Sequence, residues 1–254
     1  MSFITFLPAD ILKPFVKSFA ISQEDKAGEF KVLPDTSIIM GFQCAGELSY
    51  MDKGESISLT SAWITGLNDT YRIFQNSANT TTLFVIFSET GAGAFFKYSM
   101  HLLFGKCLPL DNFILGAKVD SAIAQLTKAR TDTARLKVIE TFLIPLLNKK
   151  IKNELIAVAV ELIKQGSGNI KITLLAEKLK MSQCQFEKRF RKIVGASPKK
   201  FASIVRLRLL INVSPNDDNM TQLGLEAGFY DQAHFIKAFK LYTGITPKQY
   251  FKEK

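Results

Sequence analysis

A chain of 254 residues, 47% hydrophobic and carrying a net charge of +10, has room for one large globular domain or two ordinary ones. No apolar run reaches the ~18 residues needed to cross a bilayer, the start Met1-Ser2-Phe3-Ile4 lacks the pattern of a secretory signal, and Cys44, Cys107 and Cys184 are too few and too scattered for a disulfide framework or a zinc knuckle. The expected location is therefore a reduced cytoplasm, with no membrane partner. The charge is segregated. Residues 1–150 hold 15 Lys/Arg against 14 Asp/Glu, and residues 151–254 hold 18 against 9, a net of +9. A basic segment beside a neutral one is the footprint of polyanion binding.

Residues 1–90 read mostly as strand. Runs rich in β-branched and aromatic side chains at 30–33, 37–42, 57–60, 71–74 and 82–87 are separated by turn sequences such as Asp52-Lys53-Gly54-Glu55 and Asn68-Asp69. A short helix is predicted at 7–19, with Pro8 near its start. From Gly91 the period lengthens, and helices are predicted at 94–104, 112–128 and 133–148, with Pro145 ending or kinking the last. Residues 149–153 are the expected boundary. Beyond it a helix at 154–165 turns Leu155, Val158, Leu162 and Ile163 inward and stops at Gly166-Ser167-Gly168, and a polar loop is expected at 214–219.

The last 80 residues contain a repeat. Phe186, Phe190, Gly195, Pro198 and Phe201 recur 49 residues later as Phe235, Phe239, Gly244, Pro247 and Tyr250, and upstream Leu175-Ala176 recurs as Leu223-Gly224. The pattern is one helix-turn-helix unit built twice. In the first unit, Thr173 is the expected cap of a helix running to Leu179. Ser182 and Gln185 form a capping box for the next helix, Gly195 ends it, and Ser197-Pro198 starts another. In the second unit Gly228, Asp231, Gly244 and Thr246-Pro247 take these roles.

At 100° per residue, Phe186, Arg189, Phe190 and Ile193 share one face of the first recognition helix. Cys184, Glu187, Lys188 and Arg191 lie opposite, flanked by Gln183. In the second unit Phe235, Ala238, Phe239 and Tyr242 turn inward, while Ala233, Ile236, Lys237 and Lys240 turn outward beside Gln232 and His234. Gln, Lys and Arg suit base edges and phosphates, and Ala233 and Ile236 suit thymine methyls. Two accounts are open for Glu187, pairing with Arg191 one turn on or accepting from a cytosine amino group. Arg191 and Lys240 reach phosphate more readily than bases. His234 is a base reader or a surface histidine, and Cys184 a contact or merely a small tolerated residue. Lys199, Lys200 and Lys248 follow helix starts that favour phosphate, or are plain solvated lysines.

On these residues the chain resembles the AraC/XylS-type DNA-binding domain. The motifs are Leu175-Ala176, Ser182-x3-Phe186-x3-Phe190-x4-Gly195-x2-Pro198, and Gly228-Phe229-x5-Phe235-x3-Phe239-x4-Gly244-x2-Pro247, with Arg206 matching a linker-helix arginine. The resemblance implies two helix-turn-helix units joined by a helix from about residue 198 to 213, with recognition helices in adjacent major-groove segments. It carries DNA contact to Gln183, Cys184, Glu187, Lys188, Gln232, Ala233, His234 and Lys237. Three positions depart from it. Leu210 replaces a small residue, Gly224 replaces Ala at a helix cost of up to ~1 kcal/mol, and Tyr230 replaces a capping Ser that Asp231 can stand in for.

Residues 1–108 more loosely resemble an uncharacterised sensor-like domain placed before such DNA-binding domains, through Leu7-Pro8 with Leu12 and Phe15-Val16, Leu33-Pro34-Asp35, Ile64-Thr65-Gly66, and Phe87 before Gly91. By position it would bind an effector or a partner and mediate dimerisation. Trp63, Tyr50, Tyr71, Phe42, Phe84 and Arg72 are candidate liners of an effector pocket, although an aromatic on a strand is more often core. Only two histidines exist, so His101 alone cannot build a metal centre, and no nucleophile elbow or phosphate loop occurs.

The expected fold is α+β. Residues 1–108 form a mainly-β sensing or dimerisation domain, 109–150 a helical linker, and 153–254 an all-α domain of two helix-turn-helix units. The expected function is sequence-specific transcription regulation in a bacterium, without catalysis, metal or cofactor. Double-stranded DNA is the main partner, and RNA polymerase, a small-molecule effector and a second copy of the chain are further candidates. An architectural DNA-binding protein of low sequence preference is the rival reading.

Overall fold

The computed structural model describes residues 3–151, 153–212 and 224–252. Its first part is two antiparallel sheets packed face to face. Strands β1 (Phe3–Phe6), β2 (Val16–Glu24), β4 (Ile39–Ala45), β7 (Ala62–Thr65), β9 (Thr80–Phe87) and β10 (Cys107–Pro109) form a sheet in the order β1-β2-β9-β4-β7-β10. Strands β3 (Gly28–Val32), β5 (Leu48–Asp52), β6 (Glu55–Ser58) and β8 (Arg72–Asn76) form the other, in the order β3-β8-β5-β6. The β5–β6 hairpin closes through Lys53 and Gly54, both at positive φ, as its turn sequence requires.

Alternation along the six-stranded sheet sorts its side chains. One face carries Phe19, Ile21, Met40, Phe42, Ile64, Leu83 and Val85, all buried. Helices α1 (Gly116–Lys128) and α2 (Asp132–Leu143) cover this face, with the Phe142 ring edge-on to Phe42 at 5.6 Å. The apolar rows of α1 and α2 are thus used in packing onto the sheet, through Val119, Leu126, Ile139 and Leu143. The other face carries Ala20, Ile39, Trp63 and Phe84 and looks toward the four-stranded sheet.

Several expected elements differ. Residues 7–19 hold turns followed by β2, because Val16–Glu24 pairs with β9 on either side of an irregularity at Lys17. Residues 94–104 form only 3-10 turns, at Ala92–Ala94 and Met100–Leu103. Helix α2 stops at Leu143, and Pro145 sits in a 3-10 turn. Helix α3 (Glu154–Gln165) has the expected bounds but a different face. Ile156, Ala159, Val160 and Ile163 are buried, Leu162 is half-buried, and Leu155 and Val158 are exposed. The remaining helices are α4 (Ile172–Lys178), α5 (Gln183–Val194), α6 (Pro198–Ile211), α7 (Gln232–Thr243) and α8 (Pro247–Lys252). The expected loop at 214–219, Val213 and Leu223 lie outside the described residues.

Candidate nucleic-acid interface

The first unit begins with α4, which starts one residue ahead of Thr173 and takes no side-chain cap. Lys180, at φ +55°, makes the turn. The Ser182 hydroxyl then accepts from the Gln185 N–H at 3.3 Å to open α5. Phe186 and Phe190 are fully buried, edge-on to each other at 5.6 Å, and Phe190 meets Phe201 at 5.5 Å. Gly195, at φ +97°, ends α5, and Ser197 with Pro198 starts α6.

The second unit repeats this geometry. A helical turn at 224–226 leads to Gly228 at φ +80°, and Asp231 accepts from the His234 N–H at 2.7 Å to open α7. Phe235 meets Phe239 edge-on at 5.7 Å, and Phe239 meets Tyr250 at 5.5 Å. Gly244, at φ +88°, ends α7, and Thr246 and Gln249 cap α8 reciprocally. The equal steps in the sequence have produced equal ring contacts. The replacements noted above are also accommodated. Asp231 is the cap, Leu210 is buried, and a Cβ on Gly224 would fall 2.9 Å from the Phe235 ring.

Among the described residues the outward faces are open to solvent. On α5, Gln183, Cys184, Lys188 and Arg191 are exposed and Glu187 is half-buried. On α7, Gln232, Ala233, His234, Ile236, Lys237 and Lys240 are exposed. Glu187 accepts from Gln183 Nε2 at 2.8 Å, from the turn before it rather than from Arg191 in the turn after. Arg189 is exposed, although the helical wheel groups it with the two phenylalanines, because a long side chain at the edge of a buried face can swing its charge into water. Arg189 and exposed Lys192 add to the positive charge, and sequence reasoning passed over both. Lys199 and Lys248 are exposed. Lys200 is ion-paired with Asp69 at 2.5 Å and lies 4.4 Å from the Phe104 ring centre.

Arg206 ties the loop after α3 to the second unit. Its guanidinium donates to the Gly168 carbonyl at 2.9 Å and the Gly228 carbonyl at 3.1 Å, and it stacks over Phe229 at 5.2 Å. One side chain of α6 thus holds both the loop after α3 and the turn of the second unit. Only arginine's planar fork reaches two carbonyls while lying on a ring.

The helical half docks on the β part through widely separated residues. The Tyr242 hydroxyl donates to the Pro34 carbonyl at 2.6 Å, Lys31 Nζ donates to the Thr243 carbonyl at 3.1 Å, and Arg208 pairs with Asp35. Glu89, nearly buried, accepts from Lys17 and from Lys164 of α3, each at 2.7 Å, and from Thr36 at 3.1 Å. Of the candidate effector liners, Trp63 and Phe84 border a cavity between the sheets. Phe42 belongs to the core on the opposite face, Tyr71 lies against Lys31, and Arg72 over Tyr50.

Two recognition helices presented by a repeated helix-turn-helix scaffold define a DNA-binding protein. Residues 175–253 match a family model described as a helix-turn-helix domain, and residues 4–109 match a domain of unknown function (DUF6597). The first of these regions is similar to the AraC-type helix-turn-helix domain, and both relatives that align there are described as transcriptional regulators. An uncharacterized HTH-type transcriptional regulator of Haemophilus influenzae is 32% identical over 111 residues, 43% of this chain and 36% of that protein. The HTH-type transcriptional regulator MtrA of Neisseria gonorrhoeae is 40% identical over 76 residues, 29% of this chain and 25% of that protein. The matched segments thus span only about a quarter to a third of these relatives. ToxT from Vibrio cholerae is a structural neighbour with a TM-score of 0.46 at 14% identity, covering 99% of this chain and 98% of its own. Among the described residues no helix is long and apolar enough to cross a membrane.

Proposed function

We propose that the protein is a transcription regulator that reads a specific duplex sequence with α5 and α7 set in adjacent major-groove segments, under the control of an effector held by residues 1–108, with 109–150 as linker and 153–254 as the DNA-reading part. The observation that carries this is the pair of exposed outer faces, rich in Gln, Lys and Arg, on helices whose inner faces repeat the same aromatic packing. Gln183, Cys184, Glu187, Lys188, Gln232, Ala233, His234, Ile236 and Lys237 are the proposed base-side residues. Arg191, Lys240, Lys199, Lys200 and Lys248 are the proposed phosphate contacts, their shared charge supplying affinity by counterion release.

RNA polymerase and a second copy of the chain belong to this reading as further partners. Exposed Leu155 and Val158 on α3 offer an apolar row for self-association. A cytoplasmic location goes with it. The test is substitution of Lys188 and Lys237 by Ala in the intact chain. Each should narrow the gap between cognate and random duplex by roughly 1–3 kcal/mol. Equal weakening on all sequences would reassign both lysines to phosphate.

A further inference from the structure

Between the two sheets lies a cavity of about 320 Å³ that DNA reading leaves unused. Ala20, Trp63 and Phe84 wall it from the six-stranded sheet, and Phe30, Val32 and Phe74 from the other. Well-packed interiors leave few voids larger than a water molecule, and this one lies in the size range of small-molecule pockets, roughly 300–1,000 Å³. Its walls show what it can hold. Among the described residues no lining side chain carries a charge, and Thr5 and Thr65 bring the only hydroxyls. Phe3 and Val32 at its rim are exposed, so the cavity opens to solvent on one side. Among its inner walls water would find few partners, and an ionised group would lose its hydration without compensation. Gly41 helps to shape the wall, because a Cβ there would fall 2.3 Å from the Trp63 ring that lies across it.

Strand β3 has two faces with different neighbours. Phe30 and Val32 border the cavity, and Lys31, between them, points the other way and donates to the carbonyl of Thr243 at the end of α7. Just beyond the strand, Pro34 accepts from Tyr242 and Asp35 pairs with Arg208 of α6. The strand that walls the cavity is therefore the one that grips the second recognition helix. We propose that the cavity binds an uncharged, apolar small molecule, and that β3 conveys its occupancy to α7 and so alters DNA affinity. The second half of this proposal rests on the DNA-reading function above.

The test uses the intact chain and N-phenyl-1-naphthylamine, an uncharged apolar fluorophore, with Trp63, the only tryptophan, as energy donor. Saturable binding with quenching of Trp63 is expected. 1-Decanol should displace the probe more strongly than decanoate does. Ala20→Leu, and independently Ile86→Phe, should weaken probe binding roughly tenfold or more while the circular dichroism of the chain stays native. Absence of saturable binding, displacement by decanoate as strong as by decanol, or unchanged binding in a natively folded cavity-filled variant would overturn the site. On a selected duplex, the probe should shift affinity roughly fivefold or more. Lys31→Met should abolish that shift while leaving probe binding intact, and a shift that survives would overturn the relay. If no duplex sequence is selected at all, the DNA-reading function fails, whereas probe binding still decides the cavity.

Discussion

The hydroxyl of Tyr242, in the last turn of α7, donates to the carbonyl of Pro34 across 2.6 Å, joining the second recognition helix to the loop after β3. The group is buried, and burial pushes its pKa far above the usual tyrosine value, so it stays a donor over the whole working range of pH.

Replacing Tyr242 by Phe removes the donor and leaves the carbonyl without this partner. The expected loss is about 1–2 kcal/mol in urea unfolding of the intact chain. An unchanged midpoint would show that the bond contributes nothing.

Glu89 gives a pH signature. Burial works to raise its pKa, but Lys17 and Lys164 outweigh that and hold the carboxyl below the usual range. For Lys164, burial works to lower the pKa, and Glu89 and Glu161 more than offset it. The depressed carboxylate contributes stability above its unfolded pKa and loses it as pH falls through the folded value. The raised lysine contributes below its unfolded pKa and loses it as pH rises through its folded value. Both contributions are therefore present at neutral pH. Because Lys17 and Lys164 are about a third exposed, Glu89→Gln should cost only about 1–3 kcal/mol at pH 7. The gap to the unmodified chain should shrink as acid titrates the carboxyl. A gap constant down to pH ~3, well below the usual carboxylate pKa, would contradict the assignment.

Gly54 and Gly244 have nearly the same φ, +91° and +88°, in different surroundings. A Cβ on Gly54 meets open space, so Gly54→Ala carries only the left-handed strain, about 1 kcal/mol. A Cβ on Gly244 falls 2.8 Å from the Tyr71 ring, so Gly244→Ala must also displace that ring and should cost about 2 kcal/mol. Equal shifts in thermal melting would mean that the Tyr71 contact is not maintained.

These cases also mark how far the sequence could be read. The stops at Gly195 and Gly244, the caps at Ser182, Ser197 and Asp231, and the buried phenylalanines all follow from spacing within one helix, and all could be derived without coordinates. Helix α3 was harder. It has apolar residues on two faces, and no periodicity says whether Leu155 and Val158 or Ile156 and Ala159 meet the core. Strand β2 was misread in part as helix, because its pairing with β9 is long-range and its first residues follow a run of turns. The partners of Tyr242, Lys31 and Glu89 could not be derived at all, since each bond joins residues far apart in the chain, and pairwise proximity of that kind leaves no local pattern.

Arg206 is expected to resist even conservative change. Arg206→Lys keeps the charge but loses the two-carbonyl fork and the stack on Phe229, at a cost of about 1–3 kcal/mol. Because Gly228 belongs to the turn before α7, amide hydrogen exchange in α7 should accelerate more than in α5. Uniform acceleration across both helices would contradict a specific hold on the second unit.

The most direct measurement is selection of the intact chain against a random duplex library at two salt concentrations, followed by sequencing of the bound fraction. Enrichment of two short motifs centred about one helical turn apart, ~10 bp, is the predicted result. Steep salt dependence with no enriched motif would contradict sequence reading by α5 and α7 and leave a protein held by phosphates alone.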